Sequence, residues 1–298
     1  VGNADILREN YTFYKLLEYA KSKASYIDVP VELYCKGEFN IPAVSDLDVD
    51  NDMMYGNNRN TNLVFINYGR SDFAHGMMVY SKMEQQSIAL TAAHQVDIYC
   101  HYLMPQYLEN AKRMYIERMK EIMDGAIKLN GRIKMVDIGC GPATCGVALA
   151  ESLKENKDCA TPISLEYIGV DVSEAMRIKA EEEMQAEMEK SQRGKETNKR
   201  GKEAMQQTDK DSNVSWLFVS AIDDAAERLA SKDSSLVILN FSHFFACIDV
   251  ETAELLASKI KNMMTTNADN DYMVVVQQSA DDDKLRSYGV FSKVLLSK

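Results

Sequence analysis

Two glycines and a small set of carboxylates carry the spacing in this chain that could do chemistry. Gly139 and Gly141 stand at the end of a short apolar run, 133–138, and small and apolar residues follow at once from Ala143. That order encodes strand, tight turn, helix. A missing Cβ lets the backbone take positive φ and lets a ligand lie against the main chain, and such a turn at the carboxyl end of a strand is a nucleotide site by geometry. The spacing narrows the nucleotide. A dinucleotide fingerprint needs a third glycine where this chain has Thr144. A triphosphate loop needs Gly-Lys-Ser/Thr, and no lysine lies in the turn. What remains is a turn with an acid, Asp137, inside the strand two residues before Gly139.

The next apolar run, 164–170, reads as a second buried strand ending in Asp171, with Ser173 as the N-cap of a following helix. A carboxylate at that place can accept both hydroxyls of a ribose. The plainer reading is an acid that ends a strand and favours a helix N-terminus. A third cluster closes the apolar run 235–239 as Asn240-Phe241-Ser242-His243-Phe244-Phe245. An imidazole near its ordinary pKa can take a proton from an attacking hydroxyl. The competing role for His243 is structural, capping the helix over 250–264.

The run Val136-Asp137-Ile138-Gly139-Cys140-Gly141-Pro142-Ala143 resembles the first motif of the class I S-adenosylmethionine-dependent methyltransferases: apolar, apolar, Asp/Glu, apolar, Gly, x, Gly, x, Gly. Only Ala143, at the third glycine, departs from it. The resemblance covers roughly 133–277. It implies a Rossmann-like, mostly parallel sheet with helices on both faces, adenosylmethionine as methyl donor, and adenosylhomocysteine as product. It implies cofactor contacts from Asp137, Gly139, Cys140 and Gly141 in the first strand and turn, and from Asp171 and Val172 after the second. Ile222 would pack on the adenine and Asp223 would accept its amine after the third strand, although Asp223 or Asp224 could equally be a helix N-cap. Asn240 would contribute at the end of the fourth strand, and His243 sits where some small-molecule O-methyltransferases of the family place a base. The family's amino methyltransferases of adenine and cytosine carry Asn/Asp-Pro-Pro-Tyr/Phe here, and both prolines are missing, which disfavours nucleobase amine methylation.

The positioning elements follow from periodicity. Strands are predicted over 133–138, 164–170, 214–219, 235–240 and 272–277, with helices between them and a last helical stretch from 281 to 296. A helix over 105–128 ends at Asn130-Gly131. Upstream, 4–23 and 77–102 read as helical, and 29–34 and 62–66 as short strands around a polar loop. The expected organisation is an N-terminal mixed, mainly helical cap over 1–130 and a cofactor domain over 131–298. In the resembled family such helices fold over the cofactor pocket and meet the substrate. Tyr99, Tyr102, Tyr107 and Tyr115 could line that pocket or belong to the core. The distance from Asp171 to Val214 exceeds an ordinary helix-to-strand link, so 185–212 reads as an insertion. Its stretch from Lys190 to Lys202 is strongly basic, either an arm for an acidic partner such as RNA or a solvated charge run.

Composition sets the outer limits. A hydrophobic share of 46% with 27% charged residues describes an ordinary globular chain without a bilayer-spanning run. The net charge of −11 opposes diffuse binding to phosphate backbones, which favours a small-molecule acceptor over RNA. The cysteines show no Cys-x-x-Cys pair and the histidines no His-x-x-x-His spacing, so neither a metal site nor a disulfide framework is expected, and a reducing, cytoplasmic setting is. Val1 suggests a numbering that starts inside a longer reading frame. The family's sheet usually adds two further strands after the fifth, so truncation, or a sheet edge filled by strands such as 63–66, is expected.

Overall fold

The computed structural model describes residues 63–67, 77–81, 86–102, 104–156, 161–199, 213–229, 234–277 and 282–297. The predicted helix over 4–23 and strand over 29–34 lie outside them. The chain divides into two compact units at Gln106 and Tyr107. In the first, β1 (Leu63–Asn67), β2 (Met77–Ser81) and β3 (Gln86–Leu90) form an antiparallel sheet, followed by α1 (Ala92–Tyr102). The helix expected over 77–102 is therefore two strands and a shorter helix. Runs of five residues are too short for periodicity to separate helix from strand, and pairing between β2 and β3 decides it. β1 stands in this separate sheet and fills no edge of the larger one.

The second unit is α/β. After α2 (Met104–Lys128) come β4 (Arg132–Ile138), α3 (Thr144–Glu155), β5 (Ser164–Val170), α4 (Glu174–Lys199), β6 (Asn213–Val219), α5 (Ile222–Leu229), β7 (Leu236–Ser242), α6 (Val250–Thr266), β8 (Asp271–Gln277) and α7 (Asp282–Leu295). The five strands run parallel in the order β6-β5-β4-β7-β8. Parallel strands with intervening helices bury both sheet faces, which is why β4 and β7 are near-continuous apolar runs. On one face α2, α3 and α4 cover Ile133, Met135, Leu165, Tyr167 and Ile238. On the other α5, α6 and α7 cover Val136, Ile138, Ile168, Leu239 and Phe241. The rings of Phe241, Phe245 and Phe291 pack within 4.8–5.3 Å there, each buried ring stabilising by about 1.5–3 kcal/mol.

Helix α2 ends as its sequence directs: Asn130 and Gly131 take φ of 59° and 75°, and the Gly131 N–H donates to the Ala126 carbonyl over 2.8 Å. Lys112 pins α2 to α3 through Glu151 at 2.9 Å. Helix α4 continues through the basic stretch to Lys199, so much of the expected insertion is a regular extension of that helix. Its Glu and Lys residues are strong helix formers after the apolar stripe ends, and pairs such as Lys179 with Glu183 at 3.5 Å add to it. No helix among the described residues is long and apolar enough to cross a membrane.

Candidate functional site

Strand order reverses between β4 and β7, and both strands end toward the same crevice. In a sheet of this kind that switch point is where a ligand finds space outside the carboxyl ends. The glycine turn occupies it. Gly139 and Gly141 have φ of 73° and 53°. A Cβ on Gly139 would lie 2.7 Å from the Phe244 ring, whereas one on Gly141 would meet, among the described residues, only the Met176 sulfur at 4.0 Å. The first glycine makes room for an aromatic side chain, and the second leaves open space over its backbone. Ala143 also takes a left-handed conformation, φ 60°, and no side chain caps α3 there. Thr144, in the first turn of α3, has its buried hydroxyl without a partner among the described residues.

Asp171 joins the turn to β5. One carboxylate oxygen accepts from the Gly141 N–H and the other from the Ser173 N–H, each over 2.9 Å. Arg177 donates to the Asp171 carbonyl at 2.6 Å. Burial raises the Asp171 carboxyl above the ordinary value, and the Ser173 and Gly141 hydrogen bonds pull it back. A carboxylate offers about four lone-pair sites, so two remain after the backbone bonds. Ser173 caps α4, its hydroxyl accepting from the Met176 N–H over 3.2 Å. Val172 is 75% exposed beside Asp171, an apolar surface at the crevice mouth.

Below the turn lies a buried polar network that sequence spacing could not reveal. Asp137, 1% exposed, accepts from the Asn240 amide at 2.6 Å and from the Tyr167 hydroxyl at 2.8 Å. Tyr115 of α2 donates to the Asn240 side-chain oxygen at 3.2 Å. Strand register sets Asp137 beside Asn240. Burial among neutral donors raises the Asp137 carboxyl to about 6, against the lowering effect of the Asn240 and Tyr167 bonds. Cys140 is buried with its sulfur over Gly169, where a Cβ would come within 2.9 Å of it, and burial pushes its thiol up. Of the residues expected to contact cofactor, Asp137 and Asn240 thus tie β4, β5, β7 and α2 together under the turn, and Cys140 is buried beside them with its thiol toward the Gly141 carbonyl.

The remaining expected residues are dispersed. Ile222 opens α5 and packs against the apolar layer below. Asp223 lies in the first turn of α5, not at its N-cap, and its carboxylate pairs with Lys259 of α6 at 2.7 Å on the surface. An exposed pair of this kind is worth about 0–1 kcal/mol, so it leaves Asp223 free to exchange partners. His243 does not cap α6. That place belongs to Asp249, which accepts from the Thr252 N–H over 2.7 Å. His243 instead takes φ 55° before a 3-10 turn, Phe244–Ala246, and its N–H donates to the Gln277 carbonyl over 2.7 Å. Burial lowers the imidazole pKa, so the ring is the free base at neutral pH. Among the described residues no cluster of His, Cys, Asp and Glu could hold a metal ion.

No family model matches the chain, and no curated protein matches it. Among solved structures, the crystal structure of MnmC2 from Aquifex aeolicus aligns with 97% of this chain and 90% of that one, at 14% identity and a TM-score of 0.21. At that score the likeness bears on neither fold nor function.

Proposed function

We propose that the chain is an S-adenosylmethionine-dependent methyltransferase acting on a small neutral acceptor. The observation that carries this reading is Asp171, whose carboxylate already holds the turn through Gly141 and Ser173 and keeps lone pairs for two ribose hydroxyls. The open space over Gly141, the unpartnered Thr144 hydroxyl at the uncapped start of α3, and exposed Val172 suit the rest of such a ligand. Thr144 and the first N–H groups of α3 would meet a carboxylate tail, Asp171 the ribose, and Val172 and Ile222 the adenine faces, with Asp223 reaching its amine.

Bound adenosylmethionine supplies a methyl group already activated on a sulfonium. The protein's task is then alignment and removal of one proton, for which neutral His243 is the candidate base. RNA as acceptor is the weaker reading. Helix α4 starts at the crevice end and runs away from it, so Lys190 lies about 24 Å along its axis at 1.5 Å per residue. The basic stretch is thus remote from the turn. Calorimetric titration tests the proposal: adenosylhomocysteine should bind at one site per chain while NAD and ATP do not, and no heat with adenosylhomocysteine sinks it.

A further inference from the structure

We infer that Phe244 distinguishes the methyl donor from the spent product, its ring flanking the sulfonium and holding that charge by a cation–π contact that a neutral thioether does not make. This role rests on the donor reading above, which fixes where the charge must lie. In adenosylmethionine the sulfur stands between the ribose and the amino-acid tail. With the ribose on Asp171 and the tail at the start of α3, the sulfonium is drawn over the turn between them. Asp171 already holds that turn through the Gly141 N–H. The space over Gly141 is open among the described residues save for the Met176 sulfur at 4.0 Å.

Phe244 reaches the same turn from the end of β7. A Cβ on Gly139 would lie 2.7 Å from its Cδ2, and 3.5 and 3.6 Å from Cε2 and Cγ, the ring carbons on either side. Near-equal longer distances to both neighbours mean an approach in the ring plane, so the ring stands on Gly139 by its edge and a ligand lying along the turn passes beside a face. Any side chain at 139 would displace it, which makes glycine and ring a matched pair. The backbone brings the ring there: His243 takes a left-handed φ of 55°, held by its N–H bond to the Gln277 carbonyl at 2.7 Å. That conformation is uncommon for a residue with a Cβ, and such strain gathers at functional positions. Phe241 and Phe245 are 0% and 1% exposed in the apolar layer, whereas Phe244 is half-buried at its rim. They brace Phe244 at centroid distances of 6.1 and 5.7 Å and angles of 52° and 78°, neither a parallel stack. An aromatic face attracts a cation within about 6 Å of its centroid. A thioether keeps only the weaker sulfur–aromatic contact. When the methyl group leaves, the S–C electron pair stays on sulfur and neutralises it, so the contact that favours the donor lapses as product forms.

A ring that merely closed the apolar layer would be served as well by leucine, and one that reads a charge would not. The test is calorimetric titration of the full chain with adenosylmethionine, neutral adenosylhomocysteine, and sinefungin, an analogue with an ammonium group in place of the methylsulfonium. In Phe244→Leu the affinity of each cation relative to adenosylhomocysteine should fall about three- to tenfold, the scale of a partly desolvated cation–π contact. Phe244→Tyr keeps the ring and should keep the wild-type ratios. A trifluorinated phenylalanine in place of Phe244 preserves the ring's shape but drains its face of negative potential. It should lower both ratios as leucine does, and it decides the matter if Phe244→Leu fails to fold. Equal losses for all three ligands in Phe244→Leu, or unchanged ratios in the fluorinated chain, overturn the inference and leave the donor reading standing. Failure of wild type to bind adenosylhomocysteine overturns both.

Discussion

Replacing Asp137 by asparagine should change how stability depends on pH more than it changes stability itself. The native carboxyl titrates at about 6, raised by burial from an ordinary 3.8. Between those values the folded chain holds a proton that the unfolded chain has released, so stability falls as pH rises through the window. At 1.36 kcal/mol per unit over roughly two units, the loss is about 3 kcal/mol. Asparagine removes this titration. It also leaves one of the two donors, Tyr167 or Asn240, without its acceptor, a pH-independent cost of about 1–3 kcal/mol. Wild type should therefore exceed Asp137→Asn at pH 4, and the gap should close by about pH 7. Urea unfolding monitored through Trp216, the chain's single tryptophan, reads both curves. Parallel curves would show that Asp137 titrates at an ordinary value, and the buried network would need a compensating cation or water.

Further outcomes follow from the same geometry. Asp171→Ala should weaken adenosylhomocysteine binding by about 1–3 kcal/mol, the scale of hydrogen bonds lost to a charged group, and calorimetry at matched protein concentration measures it. Gly146→Ala places a Cβ 2.5 Å from the Tyr167 ring and should destabilise by about 1–2 kcal/mol, overpacking outweighing the better helix propensity; a stabilised variant in urea would show that the ring moves freely. Maleimide should label exposed Cys247 in the native chain and spare buried Cys140 and Cys145, as peptide mapping would reveal.

The sheet of the second unit was legible because its strands are short apolar runs closed by turn residues, and a parallel sheet buried on both faces demands such runs. Ser173 and Asn130-Gly131 were legible because caps act locally. The 77–102 stretch was not, since its helix-like apolar spacing over five-residue strands is settled by pairing in a hairpin. The extension of α4 to Lys199 was missed because charge hides helix propensity once the apolar stripe stops. Least legible was the site's foundation. Tyr115, Asn240, Asp137 and Tyr167 meet only through the strand order, with up to 125 residues between partners, and no spacing rule reaches that far. The ion pair of Asp223 was hidden for a like reason, since its partner Lys259, 36 residues on, comes from another helix.

Asp171 and the glycine turn are proposed to hold the ribose and tail of an adenosylmethionine. A crystal structure of the chain with adenosylhomocysteine tests it most directly. Both ribose hydroxyls should lie within hydrogen-bonding distance of the Asp171 carboxylate, with the ligand backbone over Gly141. A ligand bound elsewhere, or a ribose turned away from Asp171, would contradict it.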